Sequence, residues 1–310
     1  MIDHADEYLT TEDGQELAVY ERGDSNMPAV IYLHGGPGAG MNEEDFNFFD
    51  LKRWHVIAFD QRGCANSRPF GTLQNNLVPN GVSDIEMIRE HFGVEKWIVF
   101  GGSYGSTLAL SYAIAHPDRT EGLVLRGVWL ARKKDRDWSF EEGGASLFHP
   151  DTFEAYRNFI PENERGSLVR AYYRIFLSDD EDRKKQACKV WASWEDSLIT
   201  LRPFAIPEEV TSYDLSSALL ECHFMANNMG WDDDDYIMQH VDRIRDIPTW
   251  IVQGRYDQDC PPIEAWELKN KLRNVRRFIL NEATGHLSHE PENERALKDV
   301  MNEIADARRD

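Results

Sequence analysis

Ser103 lies in Phe100-Gly101-Gly102-Ser103-Tyr104-Gly105, which contains the pattern G-x-S-x-G. A serine hydroxyl is a weak nucleophile. It needs a base to take its proton and a third group to orient that base. Small residues two before and two after the serine, here Gly101 and Gly105, permit the tight strand-to-helix turn that presents the hydroxyl. In this arrangement the partners follow in the order acid, then histidine. Gly254-Arg255-Tyr256-Asp257 and Gly285-His286 each come after an apolar run. Asp257 is expected to hold His286, and His286 to accept the Ser103 proton. Asp259 and His289 offer the same chemistry nearby, but Asp257 and His286 each follow a strand-terminating glycine. The competing use of His286, His289 and Asp259 is a metal centre. No HExxH or comparable helical ligand pair supports it, and no cofactor or metal is expected.

His34-Gly35-Gly36-Pro37-Gly38 directly follows another apolar run. Such a glycine-rich loop lets backbone N–H groups approach the oxyanion that forms when serine attacks a carbonyl. Gly36, with Gly35 as the alternative, supplies one donor in this reading, and the backbone N–H of Tyr104 supplies the other. Each donor of this kind contributes about 10²–10³ in rate.

These residues must be positioned by a sheet. Ala29–Leu33, His55–Phe59, Trp97–Phe100 and Gly122–Arg126 are short runs rich in Val, Ile, Leu and Phe without clear alternation. Such runs suit strands buried on both faces of a parallel sheet. Glu7–Thr11 and Glu16–Arg22 flank a Gly14 turn and read as a hairpin. Helices are expected over Ile85–Phe92, with Asp84 as N-cap, and over Tyr104–His116, stopped by Pro117. Between 131 and 246 the strand-like runs vanish, and aromatic and charged residues dominate. The pattern resumes with Thr249–Gln253, Arg277–Leu280 and a last helix, Pro291–Arg309. The expected organisation is an α/β core at 1–130 and 247–310, a mostly parallel sheet flanked by helices, with a helical cap inserted at 131–246.

The chain of 310 residues has 34 Lys and Arg against 55 Asp and Glu, a net charge of −21. That disfavours nucleic acids and anionic membranes as partners, since those need basic patches, and neither is expected. The four cysteines form no CxxC pair, which suits free thiols in a reducing compartment. The first residues, Met1–Gly14, show no basic or apolar segment of a secretory leader, so a cytoplasmic protein is expected. The run Asp232–Asp235 lacks the glycine and spaced glutamate of a calcium loop and reads as a solvated acidic loop.

Taken together, HGGPG at 34–38, DQRG at 60–63 with Ser67-Arg68-Pro69, GGSYGSTLAL at 101–110, LVLRG at 123–127, GRYD at 254–257 with Cys260-Pro261, and GH at 285–286 resemble the proline iminopeptidase family. These are serine peptidases of the α/β-hydrolase fold. The resemblance spans nearly the whole chain in the family's order. It implies release of an N-terminal residue, preferably proline, from a peptide whose free amine is read by two acidic residues. Trp191-Ala-Ser-Trp194-Glu195 and Glu221-Cys222-His223-Phe224 match those segments, so the resemblance implies Glu195 and Glu221 as amine-binding residues, with Arg126, a further cap-facing position, counted among them. A buried acidic pair can count one residue from the terminus through charge-assisted hydrogen bonds. Trp191 and Trp194 are expected to wall an apolar pocket for the pyrrolidine ring. Tyr104, Cys222 and Ala65-Asn66 depart from the family's usual Trp, Asn and Gly-Arg, and Tyr104 and Cys222 are expected to border the pocket. The residues also leave open an esterase or amidase acting on uncharged acyl compounds, and a non-catalytic binding protein of the same fold.

Overall fold

The apolar runs pair with one another side by side. In the computed structural model, which describes residues 1–201 and 209–308, strands β1 (Glu7–Thr10), β2 (Glu16–Gly23), β3 (Ala29–Leu33), β4 (His55–Phe59), β5 (Trp97–Ser103), β6 (Thr120–Val128), β7 (Thr249–Gly254) and β8 (Val275–Asn281) form one sheet. Its order is β1-β2-β4-β3-β5-β6-β7-β8. β1 with β2 and β2 with β4 are antiparallel, and the remaining pairings are parallel. The hairpin forms around Gly14, whose φ of +83° suits glycine.

Every residue of β3 and β4 is buried, as a central strand covered on both faces requires. The pleat still sorts side chains by face. Ile31, Leu33, Ile57, Val99 and Leu123 join one apolar cluster. Val30, Tyr32, Val56, Ile98 and Phe100 join the other.

Helix α1 (Val78–His91) and α2 (Tyr104–Ala115) cover the first face. α2 is buried from Tyr104 to Ile114, apolar on all sides as a core helix is. α1 begins earlier than expected, at Val78, with Pro79 in its first turn. Asp84 is therefore not an N-cap. It lies buried inside the helix, and its two oxygens accept from Arg62 Nε and Nη2 at 2.6 and 2.7 Å.

Between β6 and β7 the described residues contain no strand. They form α3 (Lys133–Phe140), α4 (Pro150–Asn158), α5 (Leu168–Phe176), α6 (Glu181–Ile199), α7 (Ser212–Ala226) and α8 (Tyr236–His240). The starts of the two helices that reach the site are written in the sequence. Asp180 accepts from Arg183 N at 3.0 Å to cap α6. Thr211 and Asp214 form a capping box on α7. After β7 come α9 (Pro262–Lys271) and α10 (Pro291–Asp306), and α10 covers the second face through Leu297, Val300, Met301 and Ile304. The expected end of the last helix, Arg309, lies outside the described residues. No helix among them is long and apolar enough to cross a membrane.

Candidate active site

β5 ends at Ser103 and α2 begins at Tyr104. The turn between them leaves no room for side chains. A Cβ on Gly101 would overlap the Gly105 carbonyl oxygen, and one on Gly105 would overlap that of Leu33. Ser103 itself takes φ 57° and ψ −132°, a backbone state that costs a non-glycine residue about 1–3 kcal/mol. Ser106 Oγ fastens the turn: it donates to Ser103 O at 2.7 Å and accepts from Trp129 N at 3.0 Å.

Asp257 and His286 arrive from the loops after β7 and β8. Gly254 and Gly285 let these loops touch, since a Cβ on Gly254 would overlap the Gly285 carbonyl oxygen. His286 Nδ1 and Asp257 Oδ2 are 2.9 Å apart. Asp257 is held in turn by Cys260 N at 2.8 Å and Gln253 Nε2 at 3.1 Å. Gln253 Oε1 accepts from Val128 N at 3.1 Å, which ties the carboxylate to β6. Gln253 was not singled out in the sequence, where it reads as one more strand residue. His289 goes elsewhere: its ring stacks on Phe48, and its Nε2 faces Asp45 Oδ1 at 3.3 Å.

The other nitrogen of His286 is occupied. Arg126 Nη1 lies 3.1 Å from Nε2 and donates to the His286 carbonyl at 2.9 Å. A guanidinium only donates, so Nε2 accepts and Nδ1 carries the proton. That is the tautomer a serine base needs. Asp259 Oδ2 is 3.5 Å from the same Nε2. No hydrogen bond joins Ser103 Oγ to His286 among the described residues. Arg126 corrects one expectation. It is a cation committed to His286 and cannot accept a substrate ammonium, so amine binding is not its role.

The glycine loop rests on the nucleophile. A Cβ on Gly35 would sit 3.1 Å from Ser103 Cβ and 3.7 Å from its Oγ. Gly36 has φ +105°, and a Cβ there would lie 2.6 Å from Gly38 N. Tyr104 opens α2, so its N–H lacks an intrahelical acceptor and sits at the positive end of the helix. His34 supports the loop from beneath: Nδ1 donates to Gly35 O at 2.9 Å and Nε2 accepts from Gln61 N at 3.1 Å. Burial lowers its pKa and keeps it neutral.

Asp259, Cys260 and His286 place ligand-type atoms within 4.8 Å of one another, as do His34, Asp60 and Cys64. The donor sets do not favour a cation. Burial pushes the Cys260 and Cys64 thiols up, Arg126 presses a positive charge on His286 Nε2, and both His34 nitrogens are engaged.

Across from Ser103, α6 brings Glu195 and α7 brings Glu221. Glu221 Oε2 accepts from Trp191 Nε1 at 2.6 Å, and Oε1 from Ser217 Oγ at 3.5 Å. Burial raises both carboxyls, and the negative charges of Glu221 and Asp259 raise Glu195 further. A pocket of about 420 Å³ joins Ser103, His286, Arg126, Glu195, Glu221 and Asp259 to Asp45 and His289. A cleft of only 20 Å³ continues inward between Ser103, Trp129, Phe140, Met225 and the three carboxylates.

The aromatic wall is not the expected one. Trp129 and Phe140 line the inner cleft. Trp191 stands behind, stacked on Phe140 and bonded to Glu221. Trp194 is core, donating to Ser139 O at 2.8 Å. Tyr104 and Cys222 do not line either space at Ser103. The Tyr104 ring packs on Phe224, and Cys222 is fully buried. Trp129 could have been found from its place just past β6, on the sheet edge where sites of open α/β sheets form. Phe140 and Met225 carry no such signal.

A family model described as alpha/beta hydrolase fold matches residues 28–292. Among curated proteins, the chain is 42% identical over 287 residues to a proline iminopeptidase of Arabidopsis thaliana, covering 91% of this chain and 75% of the relative. It is 39% identical over 298 residues to that of Neisseria gonorrhoeae, covering 96% and 95% of the two chains. With the proline iminopeptidase of Xanthomonas citri the identity is 39% over 292 residues, and 93% of each chain is covered. Solved structures share the fold at lower identity. An alpha/beta fold family hydrolase from Bacillus anthracis has a TM-score of 0.62 at 18% identity, over 94% of this chain and 98% of that one. An esterase from Exiguobacterium antarcticum has a TM-score of 0.60 at 17% identity, over 96% and 98%. With a buried Asp257–His286 pair beside a strained Ser103 and relatives matched along almost its full length, the chain belongs to the proline iminopeptidase family of α/β hydrolases.

Proposed function

We propose that this protein is a serine aminopeptidase that releases an N-terminal residue, preferably proline, from peptides through an acyl-enzyme. Ser103 attacks the first peptide carbonyl. His286 Nε2 takes its proton and passes it to the leaving amine, while Asp257 keeps Nδ1 protonated. The N–H groups of Gly36 and Tyr104 receive the oxyanion. Water then enters where the leaving peptide was and is activated by the same base. The inserted helices between β6 and β7 act as a cap that supplies Glu195 and Glu221 as acceptors for the substrate ammonium. Four free, buried cysteines support a cytoplasmic setting.

The observation that carries this reading is the pair Glu195 and Glu221 in the same inner cleft as Ser103. An amine held by the pair shares that space with the carbonyl that Ser103 attacks. A neutral acyl group has no use for two desolvated carboxylates. Met225, an unbranched and adaptable side chain, borders the 20 Å³ cleft, and a pyrrolidine ring enters as it moves aside.

The test is a panel of aminoacyl-naphthylamides with and without an N-acetyl block, run on the wild type and on Ser103→Ala. The expected outcome is turnover of free prolyl-naphthylamide only, and only with Ser103 present. Turnover of blocked substrates at equal rates points instead to an esterase or amidase. Unchanged turnover by Ser103→Ala removes the serine mechanism altogether.

A further inference from the structure

Asp259 stands two residues after the triad acid on the same loop, yet it turns to the opposite nitrogen. Asp257 meets His286 Nδ1, and Asp259 Oδ2 lies 3.5 Å from Nε2. The loop is pinned there by the helical segment. Ser139 Oγ donates to the Asp259 carbonyl at 2.9 Å, and Trp138 Nε1 donates to that of Gln258 at 2.8 Å. The Asp259 side chain is not spent on structure. Its one hydrogen bond among the described residues is a long contact from Cys260 Sγ at 3.8 Å. It borders both the outer pocket and the inner cleft, beside Glu195 and Glu221.

Resting on the aminopeptidase reading above, we propose that Asp259 is a third carboxylate for the substrate ammonium, and that the ammonium draws it away from His286 Nε2. Nε2 is the atom that must accept the serine proton. In the free enzyme it faces Arg126 and Asp259, with no hydrogen bond to Ser103 among the described residues. Arg126 Nη1 already donates to the one lone pair of Nε2, so Asp259 stands against the imidazole as a neighbouring carboxyl group and not as its hydrogen-bond partner. Burial favours the neutral form, while the nearby imidazole and guanidinium favour the charged one. An ammonium has three donors. Glu195, Glu221 and Asp259 offer it one acceptor each, and the carboxylate drawn to it leaves the imidazole. Substrates with a free amine therefore clear Asp259 from the side of the imidazole that must meet Ser103, and neutral ones do not. Asp259 touches the substrate and positions His286; it is not itself the base.

The experiment compares wild type with Asp259→Asn and Asp259→Ala on two substrates of one leaving group, prolyl-naphthylamide and cyclopentanecarboxyl-naphthylamide, which lacks only the amine. The labelling rate by an uncharged fluorophosphonate is read in parallel. The expected result is a loss of about 10- to 100-fold in kcat/KM on the prolyl substrate, as one charge-assisted bond predicts. Turnover of the cyclopentane substrate and probe labelling should stay level or rise. Retained labelling also certifies that each variant is folded. Equal losses on both substrates and on labelling make Asp259 merely structural and overturn the proposal, as does an unchanged prolyl rate in both variants. If the wild type itself shows no preference for the amine, the aminopeptidase reading has failed and the proposal falls with it. That outcome is visible before any variant is made.

Discussion

The two walls that face each other across Ser103 are held by different means. The sheet-edge wall is backbone. Ser103, Gly36, Asp257 and His286 sit on turns where Gly101, Gly105, Gly254 and Gly285 admit no larger side chain or lie against neighbouring backbone. The helical wall is side chain. Glu195 and Glu221 project from helices that many sequences could form, and Glu221 is fixed by Trp191 and Ser217. Backbone geometry places atoms within fractions of an ångström and tolerates no substitution. Side-chain geometry is adjustable, and burial there raises both carboxyls above the usual carboxylate range. The chemistry is therefore all-or-none on one wall and graded on the other.

The largest effect expected is on the first wall. Ser103→Ala should lower kcat by about 10⁴-fold or more on every substrate, as removal of a triad member does. A loss confined to free-amine substrates would break the division between the walls. On the second wall, Glu221→Gln should lower kcat/KM for prolyl-naphthylamide by about 10- to 100-fold through one lost charge-assisted bond. A short neutral ester should be spared. Equal losses on both would mean that Glu221 shapes the fold rather than reads the amine.

The graded wall should also show in pH. Glu195, Glu221 and Asp259 are all raised, burial first among the causes. They must ionise to hold an ammonium, so kcat/KM on the prolyl substrate should keep climbing with pH above the range where ordinary carboxyls finish titrating, near pH 4–5. It should fall again once the substrate amine deprotonates, at about pH 8. Glu195→Gln should shift that climb, and an ester should not show it. Stability follows the same groups. A carboxyl raised on folding supports the fold fully below its unfolded pKa of 4.5 and loses that support as pH rises toward the folded value. The Tm of Glu195→Gln should therefore gain on the wild type as pH increases from about 4.5, when followed by calorimetry without substrate. Smallest is Trp191→Phe. It removes the N–H that serves Glu221 while keeping most of the ring, and about 3- to 10-fold in kcat/KM should be lost on the prolyl substrate alone.

The same contrast explains what was legible in the sequence. Turns that demand glycine leave a written trace, so the nucleophile turn and the loops of Gly36, Asp257 and His286 could be read directly. The buried strands were legible from their apolar runs: β3 and β4 kept the expected bounds, while β5 to β8 extend beyond theirs by one or more residues. Asp84 was misread because a lone Asp before an apolar stretch looks like a cap, while its buried partner Arg62 is distant in sequence. Facing across a cleft has no local period. Trp191 and Trp194 looked like pocket walls because they are large and close to Glu195. Only the packing shows Trp129 and Phe140 in front and Trp191 behind. Asp259 was visible as a second acid near Asp257, but its attachment to the other side of the imidazole comes from the loop's path.

The most direct measurement is the wild-type ratio of kcat/KM for prolyl-naphthylamide to that for cyclopentanecarboxyl-naphthylamide at neutral pH. These substrates share ring, carbonyl and leaving group and differ at the amine. A serine enzyme whose helical wall reads the amine should prefer the prolyl substrate by about 10²-fold or more, the worth of at least two charge-assisted bonds. A ratio near one would contradict the account, leaving an ordinary hydrolase with three unused acids beside its nucleophile.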